Sequence, residues 1–101
     1  MSVLPGAIVK KDPSAELVYT FDWTAWLAGA SIATSVFEIS GGPDALLTKD
    51  NESIVSGSQK TRLRLLDGTP SGKYNLTNRI VTNEAVPQTD DRHITVWVVN
   101  T

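Results

Sequence analysis

The chain contains no cysteine. A disulfide framework and a thiolate zinc site are therefore both excluded. Its single histidine, His93, rules out an iron site of the two-histidine, one-carboxylate kind. Charge of one sign is also missing. Nine Lys and Arg stand against eleven Asp and Glu, for a net charge of -2, so neither nucleic acid nor a membrane surface is an expected partner. No run approaches the roughly 20 apolar residues of a membrane span. The opening "MSVLPGAIVKKDP" lacks a charged start and a long apolar stretch, so no secretory signal is expected. There is no Gly-x-Ser-x-Gly elbow and no glycine-rich phosphate loop. The expectation is no enzyme, no catalytic residue, no cofactor and no metal.

What remains is globular in composition, with 41% hydrophobic and 20% charged residues over 101 positions. A chain of this length buries about two-thirds of the surface that its unfolded form exposes, enough for one core. Residues 1–13 read as an extended N-terminal arm, because Pro5 and Pro13 each remove a backbone donor and favour extended geometry before them. Residues 14–101 read as strands. Leu17, Tyr19, Phe21 and Trp23 alternate with Glu16, Val18, Thr20 and Asp22. Ser31–Ser40 carries apolar residues in both phases, which suits a strand covered on both sides or one that changes face at a bulge. "KTRLRLL" places Thr61, Leu63 and Leu65 opposite Lys60, Arg62 and Arg64. "KYNLTNRIVT" aligns Tyr74, Leu76 and Ile80, and "RHITVWVV" sets Ile94, Val96 and Val98 against Thr95, Trp97 and Val99. "GGPD", "DGTPSG" and "NEAVPQTDD" supply turns. About seven short strands without a long helical pattern predict an all-β, immunoglobulin-like antiparallel β-sandwich. Within it "SGKYNL" reads as a tyrosine corner, with Leu76 where antibody domains carry cysteine.

Two clusters are candidates for function. Trp23 and Trp26, three residues apart, read either as a stacking platform for sugar or bases or as a structural corner. The corner is favoured, because Asp22 is the one carboxylate or amide close in sequence, and Tyr74 is placed with it as a corner residue. The cations Lys10, Lys11, Lys60, Arg62 and Arg64 form the candidate partner interface. Their bland reading is a solvated sheet face paired with cross-strand acids. His93, beside Asp90 and Asp91, reads as a solvated residue at a strand start.

The ordered motifs also resemble a family. They are Lys11-Asp12-Pro13; Tyr19, Asp22, Trp23 and Leu27; Tyr74, Asn78, Ile80 and Thr82; and Asp91, Arg92, Ile94 and Val96. Over about residues 11–99 the chain resembles the small phage proteins labelled fibre–tail adaptor proteins. It departs from them at Gly29-Ala30-Ser31-Ile32, at Phe37 and across the 41–58 middle. The resemblance implies a virion structural protein assembled in the bacterial host cytoplasm. Such a protein docks a fibre or other appendage to the tail, among other virion proteins and in multiple copies of a symmetric assembly. A capsid decoration protein is the alternative within that class, and a carbohydrate-binding module using Trp23 or Trp26 the alternative outside it.

Overall fold

The computed structural model describes residues 2–3, 6–55 and 57–100. Pro5, on which part of the arm expectation rests, lies outside the described residues, as does Ser56. Among the described residues the chain forms β1 (Ser2–Val3), β2 (Ile8–Lys11), β3 (Leu17–Asp22), the one-turn α1 (Thr24–Leu27), β4 (Ile32–Gly41), β5 (Leu47–Ile54), β6 (Lys60–Asp67), β7 (Lys73–Thr82) and β8 (Thr89–Val98). Seven of these strands have four residues or more. With the two-residue β1 they build two four-stranded sheets, in the orders β1-β3-β6-β5 and β2-β8-β7-β4.

The two-sheet sandwich follows from alternation. Tyr19, Phe21 and Trp23 from β3 and the residue after it, with Leu63 and Leu65 from β6, line the inner face of the first sheet. Tyr74, Leu76, Ile80, Ile94, Val96 and Val98 line that of the second, and all of these side chains are buried. Full burial of such a side chain is worth about 1.5–3 kcal/mol, which makes a period-two pattern decisive for register. Of the two readings that the apolar phases of β4 allow, the structure takes the change of face. Its pairing with β7 slips between Ile32 and Thr34, so Ile32 points inward before the slip and Phe37 after it. Phe37 then meets Phe21 across the sandwich, edge to face at 5.7 Å.

Within residues 14–101 the strand pairings are antiparallel. The parallel pairs come from the N-terminal strands, with β1 parallel to β3 and β2 parallel to β8. β1 and β2 each add one edge strand to a sheet of their own chain. No local pattern in six residues of edge strand specifies which neighbour they join.

Candidate docking surfaces

The corner after β3 is built first by Asp22. Its Oδ1 accepts the Thr24 amide at 2.9 Å and starts α1. Hydrogen bonds from Thr24 hold the Asp22 carboxyl below the usual carboxylate range. The turn ends at Ala28, in the left-handed region, followed by Gly29. Trp23 is wholly buried. Its Nε1 donates to Asn78 Oδ1 at 2.9 Å, and Thr61 Oγ1 donates to the same oxygen at 2.6 Å. The Asn78 Nδ2 donates to Ser35 Oγ and to the Val36 carbonyl. One amide thus ties both sheets together with every donor and acceptor used, which a buried amide requires. Arg92 closes the corner from outside. Its guanidinium lies 4.2 Å from the Trp23 ring centroid and donates to the Asp22 carbonyl. Four residues of the sequence motifs, Asp22, Trp23, Asn78 and Arg92, thereby form one structural unit.

Tyr74 does comparable work at the opposite turn. Its hydroxyl donates to Asp44 Oδ1 at 2.8 Å and accepts the Thr69 amide at 3.1 Å, binding two turns to one strand. Thr69 Oγ1 also donates to Asp44. These bonds, led by the one from Thr69, hold the Asp44 carboxyl below its ordinary value. Gly42 is required here. Its φ is +78°, and a Cβ would lie 2.4 Å from the Tyr74 ring.

The candidate cations divide into three kinds. On the outer face of the first sheet Arg64 is neutralised. It makes a two-point bond to Asp50, at 2.8 and 2.6 Å, and lies 3.8 Å from Glu16. Lys60 stands 4.0 Å from Asp22. Arg62 alone of the three has no carboxylate within ion-pair distance among the described residues. It lines a shallow hollow with Val18, Asn51, Glu52 and Ser53, where β5 slips register between Asp50 and Ser53. Lys11 is a correction. It is 1% exposed, not a surface lysine. Its stem continues the inward phase of β2, and its Nζ donates to the Asp67 carbonyl at 2.7 Å and the Asp12 carbonyl at 3.0 Å. Burial lowers its pKa, against the opposing pull of Asp67, Asp12 and Glu16. Lys10, one residue earlier, points outward and lies 5.3 Å from the centroid of the Trp97 ring.

Two groupings escape a sequence reading. Trp97 lies on the outer face of the second sheet between Lys10 and Lys73, its register partners on β2 and β7. Alternation alone points Trp97 outward, but pairing across three strands supplies the lysines. Trp26, half-buried, meets the Trp23 ring edge to face at 5.6 Å. It borders a hollow of about 420 Å³ shared with Thr82, Glu84 and Gln88. These polar residues lie more than fifty positions away in sequence. His93 is exposed on β8 opposite Thr77. Among the described residues no three His, Cys, Asp or Glu side chains gather as a metal site would need.

Comparison with curated proteins finds no match. A family model described as podophage GP4 fiber-tail adaptor protein gp77 matches residues 11–97, from the buried Lys11 to the outward Trp97. With nearly its whole length matched, and with the motif residues meeting in one corner unit, the chain belongs to the podophage GP4 fiber-tail adaptor family.

Proposed function

We propose that this chain is a non-enzymatic virion part that fastens a fibre or other appendage to the tail of a podophage. The observation that carries the reading is the family match across residues 11–97. An adaptor binds other virion proteins, and a small sandwich used in many copies of a symmetric assembly suits that work. We read the sandwich as immunoglobulin-like, because β3-β6-β5 and β8-β7-β4 have the neighbour orders B-E-D and G-F-C. The Tyr74 hydroxyl tying its preceding turn supports the same reading. On the first sheet the partner-facing stripe narrows to Arg62, since Arg64 and Lys60 are held by this chain's own carboxylates. Assembly takes place in the host cytoplasm.

Cryo-electron microscopy of the intact particle tests this. Density for the chain at the tail–fibre junction is the expected result. Density on the capsid lattice makes it a decoration protein, and absence from the particle overturns the virion reading.

A second reading has one specific observation behind it. Glu84 and Gln88 join Trp26 around one hollow, which sets a carboxylate and an amide beside an aromatic ring. That combination suits a sugar. A glycan array checks it: a signal lost in Trp26→Ala supports the hollow, and a blank array removes it.

A further inference from the structure

Lys10, Trp97 and Lys73 form one row across β2, β8 and β7. Val96 and Val98 are buried, so Trp97 between them faces outward with both lysines. The Lys10 and Lys73 ammonium groups lie 5.3 and 4.8 Å from the centroid of the Trp97 ring. Each contact is modest at an exposed site and biases the lysine toward the ring. Neither has a carboxylate within ion-pair distance among the described residues. In a chain of net charge -2, this is a pair of positive charges without an ion-pair partner among the described residues.

The row ends at an open sheet edge. Among the described residues β2 pairs with β8 on one side and has no strand on the other. The Thr95 and Val99 amides donate to the Ala7 and Lys11 carbonyls, so those alternate residues turn their backbone toward β8. Ile8 and Lys10, in the other phase, turn their backbone groups outward. Ile8 is also 65% exposed. On the inner side Val9 is only partly buried, at the rim of the core.

We propose that the edge of β2 takes up an extended segment of another protein that alternates apolar and acidic residues. The segment adds as a fifth strand. Its backbone pairs with Ile8 and Lys10, and its apolar residues extend the rim at Val9. Its carboxylates stand on the outer face beside Lys10, within the field of the Trp97–Lys73 pair. Neighbouring strands bring such side chains to about 4.5–5.5 Å at Cβ, close enough for Lys10 to bond a carboxylate directly. At the β5 edge of the first sheet the chain's own Asp50 already meets Arg64.

The inference deepens the adaptor reading by giving a partner's chemistry. Its test uses the isolated full-length chain, so its outcome and the location of the chain in a particle fail separately. An alternating valine–glutamate octapeptide is titrated into the isotope-labelled protein and followed by amide and indole resonances. A valine–lysine octapeptide is the control. The expected result is saturable shifts at Ile8, Lys10 and the Trp97 indole with the acidic peptide alone. Binding weakens about tenfold in K10E/K73E and falls as salt is raised. Because the edge is exposed, an unchanged Trp23 indole signal verifies that the variant is folded. K10Q/K73Q gives the same comparison without charge reversal. Absence of saturable shifts, shifts centred on Arg62, equal binding of the lysine peptide or full binding by both lysine variants would each overturn the proposal.

Discussion

Trp23 and Trp97 are the same residue in opposite surroundings. Trp23 sits between the sheets, its indole N–H held by Asn78, and its ring wedged by Trp26 and capped by Arg92. Trp97 lies on an outer face, its ring covered by two lysines that no carboxylate among the described residues pairs. Both contact a cation, yet the contacts do different work. Arg92 also donates to a backbone carbonyl, so its charge is used inside the fold. Lys10 and Lys73 keep theirs for solvent or for a partner. An aromatic ring under a cation therefore says little until the cation's other bonds are counted.

The sharpest way to break this contrast is truncation. Trp23→Ala should lower stability by about 3–5 kcal/mol in urea unfolding, the usual cost of removing a buried large aromatic. A loss near zero would put both tryptophans in the same class. Asn78→Ala should come next. It strands the Trp23 N–H and the Thr61 hydroxyl in the core, at about 1–3 kcal/mol for a buried group left unpaired. If the loss matches that of a surface alanine, the amide is not the tie between the sheets. Trp97→Ala should cost only about 1–2 kcal/mol, the sum of two exposed cation–ring contacts, while the fold measured by circular dichroism stays intact.

Smaller effects sharpen the comparison further. The Tyr19 hydroxyl is buried without a hydrogen-bond partner among the described residues, unlike that of Tyr74. Tyr19→Phe should raise stability by about 1 kcal/mol by removing an unpaired polar group, whereas Tyr74→Phe should lower it. The Asp44 carboxyl, bound by Thr69, Leu46 and Tyr74, titrates below its ordinary 3.8. A group depressed in the folded state contributes stability above its unfolded pKa and loses it as pH falls through the folded value. The wild-type chain should therefore lose stability on acidification below about pH 4. Asp44→Asn should be weaker at neutral pH but flatter along that acid limb. Parallel acid limbs would show that Asp44 is not part of the titration.

Some of this architecture is legible in the linear order of residues. The Tyr19–Phe21–Trp23 and Leu63–Leu65 phases show which side faces the core, because burying the wrong phase of a strand would expose every apolar residue on it. "SGKYNL" likewise marks the tyrosine whose hydroxyl meets the Thr69 turn. Lys11 shows where local reading stops. Beside Lys10 it reads as half of a basic pair, yet strand alternation sends one lysine out and the other inward to the Asp67 carbonyl, 56 residues away. Arg62 and Arg64 share one face and one charge, but only the pairing of β5 with β6 puts Asp50 against Arg64 and leaves Arg62 open.

By itself the sequence determined the class of this protein: strands by period-two burial, turns by glycine and proline, and a family by motif order. The tertiary structure alone decided which charges are spent and which are available. Ion pairs and cation–ring contacts depend on distances between strands that lie tens of residues apart. Those distances are set by sheet pairing, which edge strands as short as β1 and β2 do not encode locally.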